Sequence, residues 1–312
     1  MRRAAYIPAF AVLGALTAFG PSRAQPAEPE PPAQAQAPVV VGGTGANLNI
    51  TPKRIVLDRG RRSGTVFIYN QGDGAATFDI SLVDRVMRPD GQIAPAAEAA
   101  EKPEFRPYAE KMRSAGALLL VSPRRVSLAP RQGQTIRVRL LNSPQPLEAG
   151  EYRSHLTVTT IPPRTVGPTA EAVAATPANQ LRLTVNAMFG VSIPVIVRVG
   201  DVDVRAAIEN VRLEEVEAPA ATGAPSRRMP VASFDLVRLG TSSLFGNIEI
   251  RLAGQRRGDP IGVARGVGVY PEIERRLVRI PLSRIRGVED KIEITFTDDD
   301  SAPGKVLAKA AP

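Results

Sequence analysis

His155 is the only histidine in this 312-residue chain, and Ser154 stands directly before it. A nucleophile and its base must lie within hydrogen-bond reach of each other. Both residues fall in the alternating run 153–159, where neighbouring side chains point to opposite faces of a strand, so they do not form that pair. His155 reads instead as a surface or packing residue. Cysteine is absent, which excludes thiol catalysis, cysteine-ligated metals and a disulfide framework. Asp201 with Asp203, and the run Asp298-Asp299-Asp300, lack the ligand spacing of a calcium loop. The second group reads as a solvated terminus. Residues 39–46, VVVGGTGA, begin like the strand-to-glycine turn of a dinucleotide site, but Leu48 stands where the third glycine is needed and Pro52 interrupts the helix that should follow. The arginine pairs Arg61-Arg62, Arg124-Arg125, Arg227-Arg228, Arg256-Arg257 and Arg275-Arg276 are dispersed, with no stacking residues between them. They therefore suit solvated turns and strand edges rather than nucleic acid. No enzyme activity, cofactor or metal is expected from these residues.

The chemistry that remains belongs to the backbone and to apolar side chains. In residues 181–199 every odd position is apolar: Leu181, Leu183, Val185, Ala187, Phe189, Val191, Ile193, Val195, Val197 and Val199. Period 2 specifies a strand. At ~3.3 Å per residue this one would span roughly 60 Å, against about 17–20 Å for an ordinary strand. One end is therefore expected to serve something beyond its own sheet. Pro194 has no amide hydrogen, so the strand must be at an edge or bulged there.

The rest of the chain supplies sheets to hold this strand. Twenty-nine prolines and 26 glycines mark many turns, few segments carry helical periodicity, and an all-β class follows. Residues 1–24 combine Arg2 and Arg3, an apolar stretch and the small-x-small sequence Ser22-Arg23-Ala24, which together read as a secretory signal peptide cleaved after Ala24. Its removal lowers the net charge from +9 to +6, leaving an exported, moderately basic protein. Residues 25–46 form a Pro/Ala-rich lead-in. Short alternating runs separated by turn signals make one sandwich over residues 47–199 and a second over 200–300, with a polar, loose tail at 301–312. Residues 94–116 are expected as an inserted loop with at most one helical turn, residues 162–179 as a second long loop, and 218–230 as a linker or hairpin loop.

Four segments in order, ITPKRIVL at 50–57, the strand and turn ending at Asn70, VSPRRVSLAPRQGQTIRVRL at 121–140 and HLTVTTIPP at 155–163, followed by the long strand, give the first sandwich a resemblance to the PapD-like periplasmic pilus-assembly chaperones. That resemblance implies two immunoglobulin-like β-sandwich domains set at an angle. It also implies a periplasmic chaperone that binds secreted pilus or fimbrial subunits by donor-strand complementation and delivers them to an outer-membrane usher. The last strand of the first domain would be lent to the subunit, whose open core its alternate apolar side chains Leu181, Leu183, Val185, Ala187 and Phe189 would fill. Arg54 matches the family's cleft residue that anchors the subunit's C-terminal carboxylate, a task suited to a planar guanidinium. The other reading of Arg54 is a solvated strand-end charge. Where the family keeps a second anchoring lysine, this chain has Pro194. Arg198 matches the position that braces the two domains by ion pairing, with no partner identifiable from sequence. A long apolar edge also allows self-association between free molecules. The alternative function is a structural or adhesive two-domain surface protein that shares only the fold.

Overall fold

A computed structural model describes residues 48–162, 188–218, 227–254, 258–283 and 291–311. The leader, the lead-in, most of the loop expected at 162–179 and residues 181–187 of the long strand lie outside the described residues.

In chain order the first part contains β1 (Leu48–Thr51), β2 (Ile55–Leu57), β3 (Ser63–Asn70), β4 (Ala76–Val83), β5 (Arg85–Met87), β6 (Ile93–Pro95), α1 (Ala96–Glu101), α2 (Arg106–Lys111), a 3-10 turn (Gly116–Leu118), β7 (Leu119–Ser122), β8 (Arg125–Leu128), β9 (Gly133–Leu140), β10 (Gly150–Ile161) and β11 (Gly190–Val199). The second part contains β12 (Ala206–Ala218), β13 (Arg227–Arg238), β14 (Leu244–Leu252), β15 (Gly262–Val269), β16 (Arg275–Pro281), β17 (Ile292–Asp298) and β18 (Val306–Ala310). The chain is all-β, built as two sandwiches.

In the first, a four-stranded sheet ordered β1-β3-β9-β7 faces a five-stranded sheet ordered β2-β11-β10-β4-β8. The alternation that specifies these strands is visible in β3, where Val66, Ile68 and Asn70 are buried while Thr65 and Phe67 are exposed. Ile50, Leu57, Val66, Ile68, Phe78, Ile136, Leu156 and Val195 meet in one core, and each such buried side chain contributes roughly 1.5–3 kcal/mol. Asn70 is fully buried yet satisfied: its amide donates to the carbonyls of Gly74, Leu128 and Ala129, and its oxygen accepts the Gly72 N–H. In the second sandwich, sheets ordered β12-β13-β16 and β15-β14-β17-β18 enclose Phe234, Leu236, Leu244, Ile250, Ile280, Ile294 and Phe296.

The structure differs from the sequence expectations in two places. Residues 94–116, expected as a loop with one turn of helix, hold the end of β6, two short helices and the start of a 3-10 turn, and the insertion they belong to begins earlier, with the β5–β6 hairpin from Arg85. This insertion reaches the other sandwich: Met87 packs into the second core, Tyr108 packs against it, and the Leu277 N–H donates to the Pro89 carbonyl. Gly91, in the left-handed region, lets the hairpin tip approach the Arg276 guanidinium more closely than any side chain would allow. The polar tail is not loose, because Val306–Ala310 pairs antiparallel with β17 as an edge strand. Its alternation is short and lysine-flanked, so it carries little signal outside its sheet. Residues 227–230 belong to β13, which pairs with β12 as far as Ala218↔Arg227, in keeping with the hairpin loop that is one of the two readings of 218–230; residues 219–226 lie outside the described residues.

Candidate functional site

The site begins with the register of β11. It pairs antiparallel with β10 along its whole length, from Gly150↔Val199 to Thr159↔Gly190. On its other side the parallel strand β2 covers only Val195 to Val197. One bond extends the β10 ladder to Phe189, whose carbonyl accepts the Thr160 N–H at 2.9 Å. In an antiparallel ladder hydrogen-bonded pairs alternate with non-bonded ones, so the odd residues of β11 turn their backbone groups to β10. The even residues Gly190, Ser192 and Pro194 turn theirs to the opposite side. Among the described residues no strand pairs with that edge. Gly190 and Ser192 present N–H and C=O groups there, whereas Pro194 presents only a carbonyl. The proline therefore stands in this strand without losing a ladder bond to its partner, opposite His155. Leading into this edge are Met188 and Phe189, 67% and 52% exposed. Leu181, Leu183, Val185 and Ala187 lie outside the described residues.

Arg54 sits where β2 departs. It precedes Ile55, the first residue of β2 beside β11, and so stands level with Pro194 by extension of the register. It is not a solvated strand-end charge. Its side chain is 8% exposed, its guanidinium lies 4.7 Å above the Phe245 ring, and one nitrogen, Nη2, donates to Asp300 Oδ2 at 2.8 Å and Ser243 Oγ at 3.1 Å. The two other nitrogens, Nε and Nη1, are buried without a partner among the described residues. Two of the three nitrogens of a buried guanidinium are thus uncommitted, an arrangement that costs free energy unless a hydrogen-bond acceptor arrives.

Arg198 has two partners that sequence did not identify. Glu151 lies directly across the ladder from it, in a non-hydrogen-bonded position where side chains approach closely, and its Oε1 accepts Arg198 Nε at 2.8 Å. Asp300 Oδ2 accepts Arg198 Nη2. Burial opposes the charge on Arg198, but the Glu151 and Asp300 carboxylates outweigh it and hold its pKa above the ordinary value. Glu151 Oε2 also accepts the Ser243 N–H at 3.0 Å. These bonds tie the first sandwich to the second. They also correct the expectation that Asp298-Asp299-Asp300 is a solvated terminus: Asp298 is buried and accepts from the Asp300 and Ala302 amides and the Ser301 hydroxyl, so that it fixes the β17–β18 turn and presents Asp300 to the two arginines.

A second buried pair lies further along β10. Leu156 and Val158 on one face of this strand pack in the first core, whereas Arg153 and His155 on the other face are buried against the second sandwich. Arg153 donates through both terminal nitrogens to Glu272, whose Oε1 also accepts the Met87 N–H at 2.7 Å. The guanidinium lies 3.7 Å over the Tyr270 ring, and His155 meets the same ring edge-on. Ser154 turns the other way and donates to Asp84, so serine and histidine are separated by the strand itself. Burial first, then the nearby Arg153 and Arg85 charges, lower the His155 pKa from 6.5 to about 3.

The His155 shift carries a pH prediction. Below its unfolded pKa the unfolded chain takes up a proton at this position that the native protein refuses, so stability falls as pH falls from 6.5 towards 3, by up to about 1.4 kcal/mol per unit. Denaturant titration at pH 7.5 and at pH 5.0 should show the native protein losing about 2 kcal/mol more than His155→Gln. Parallel losses would mean that His155 accepts a proton in the native state.

The resemblance assigned Arg54 to the inter-domain cleft and Pro194 and Arg198 to the domain junction; the β2–β11 register sets Arg54 level with Pro194, and Glu151, Arg153, Glu272 and Asp300 were missed. The alternation of β10 did hold a signal, since its odd residues from Glu151 to Thr157 are all polar. Read alone, such a face is indistinguishable from a solvated one.

No protein-family model and no curated protein sequence matches the chain. Solved structures similar to it include the E. coli chaperone DraB, at 14% identity over 87% of this chain and 98% of that one, with a TM-score of 0.43. The Salmonella enterica SafA pilin in complex with the SafB chaperone matches at 13% identity over 86% of this chain and 97% of that one, with a TM-score of 0.41. The Pseudomonas aeruginosa CupB2 chaperone matches at 12% identity over 85% and 97%, with a TM-score of 0.40.

Proposed function

We propose that this protein is an exported periplasmic chaperone that captures a secreted pilus-type subunit by lending it an edge strand, and delivers it to an outer-membrane usher. The observation that carries the reading is the unpaired edge of β11 from Gly190 to Pro194, which starts where β2 leaves the sheet. A client strand laid along that edge lies in line with β2. If it runs parallel to β11, as β2 does, its C-terminus arrives at Arg54, whose Nε and Nη1 have no acceptor among the described residues. Leu181, Leu183, Val185, Ala187 and Phe189 then fill the client's open core, while main-chain bonds supply affinity with little demand on client sequence.

The second reading, a structural or adhesive two-sandwich protein, is favoured by Pro194 in the place of a second cationic anchor and by Asp300 already seated on Arg54. Amide hydrogen exchange separates the two. In a complex recovered from the periplasm with its client, the Gly190 and Ser192 amides should exchange at least about 100-fold more slowly than in the free protein, because they enter a ladder. Unchanged exchange with client bound would overturn strand lending along this edge.

A further inference from the structure

Asp300 holds both Arg54 and Arg198, and on the same oxygen. Oδ2 accepts Arg54 Nη2 and Arg198 Nη2, while Glu151 satisfies Arg198 from the other side. The cluster thus contains two guanidinium groups and two carboxylates in mutual contact, with side-chain exposures of 12% or less. A third carboxylate arriving at Arg54 Nη1 would be drawn to that guanidinium and repelled by Asp300, in a partly buried setting where screening is weak. Asp300 is free to yield, because Arg198 gives it a second partner on the same oxygen. Its own position is set by the turn that Asp298 closes: the Asp300 N–H donates to Asp298 Oδ1 at 3.1 Å and the Ala302 N–H to Oδ2 at 2.7 Å.

We infer that Asp300 is an internal competitor for Arg54 that lowers the affinity of the cleft for a carboxylate and couples its occupancy to the junction between the two sandwiches. This rests on the reading of Arg54 as a carboxylate anchor. An arriving carboxylate takes over the guanidinium, Asp300 moves wholly to Arg198, and the turn that carries Asp300 shifts with it. By linkage, whatever strengthens the Asp300–Arg198 contact favours the incoming carboxylate, and the reverse holds equally. Asp300 is in these terms a positioning residue, acting on the ligand through Arg54.

The test uses the full mature protein and one probe, a six-residue peptide of alternating valine and threonine with a free C-terminal carboxylate, compared with the same peptide as its C-terminal amide. The readout is the ratio of the two affinities, which cancels main-chain pairing and leaves the carboxylate contact. Asp300→Asn keeps the shape and removes the charge. The ratio should rise by about tenfold or more in this variant, the order expected for one unit charge removed a few ångströms away. An unchanged or lower ratio would overturn competition by Asp300 while leaving the anchor intact. A ratio of one in both proteins would overturn the anchor and the inference with it. Should Asp300→Asn fold poorly, the unaltered protein still decides the matter: the Asp300 and Ala302 amides should exchange faster with the carboxylate peptide than with the amide peptide, and equal exchange would contradict the coupling.

Discussion

Glu272→Ala should lower the unfolding free energy by about 3–5 kcal/mol, the cost of breaking a buried ion pair from one side. Arg153 and Glu272 are 4% and 1% exposed, so the guanidinium left behind keeps little of the hydration it has in the unfolded chain. The Met87 N–H loses its acceptor in the same step, which adds the penalty of an orphaned buried donor. The guanidinium also rests on Tyr270 and donates to the Arg85 carbonyl, so these contacts keep the side chain in place with its charge unpaired. Denaturant unfolding at neutral pH measures the loss. The double variant Arg153→Met with Glu272→Leu should regain most of it, since apolar replacement of a whole buried pair is often neutral or better. A loss below about 1 kcal/mol would place the pair with solvated surface bridges instead.

This pair also shows where sequence reading ends. The two sandwiches were legible because period-2 alternation records one buried face per strand, as in β17, where Ile292, Ile294 and Phe296 are buried and Glu293 and Thr295 are not. The polar face of β10 was legible as polar, but its burial depends on Tyr270 and Glu272, more than a hundred residues away in sequence, and no local pattern encodes that. Asp300 was unreadable for a related reason. A run of three aspartates near a chain end has the composition of a solvated tail, and the pairing of β18 with β17 brings it back to Arg54 and Arg198. Arg198 was the converse case: its position pointed to a brace, and the β10–β11 register then supplied Glu151 directly opposite. The insertion was recognised as a break in rhythm only over residues 94–116, which leaves out Met87 and Pro89, and its role between the sandwiches rests on these two and Tyr108, three unremarkable residues in sequence.

Val185→Glu should lower client capture by about 100-fold or more. Val185 is the middle member of the apolar series Leu181, Leu183, Val185, Ala187 and Phe189, so a client groove that receives the series must receive this side chain. An ionised carboxylate forced into an apolar groove without a partner costs several kcal/mol, and every 1.4 kcal/mol is a factor of ten in affinity. Val185→Ile keeps the apolar face and should capture almost normally. Both variants should unfold at the denaturant midpoint of the unaltered protein, the result expected if this side chain serves the client rather than its own domain.

Strand lending is the central claim, and recovery of client from the periplasm tests it most directly. The unaltered protein and Val185→Ile, purified from cells making their secreted subunit, should each carry that subunit in a one-to-one complex, and Val185→Glu, equally folded, should come without it. A Val185→Glu protein that still carries and protects the subunit would contradict the claim.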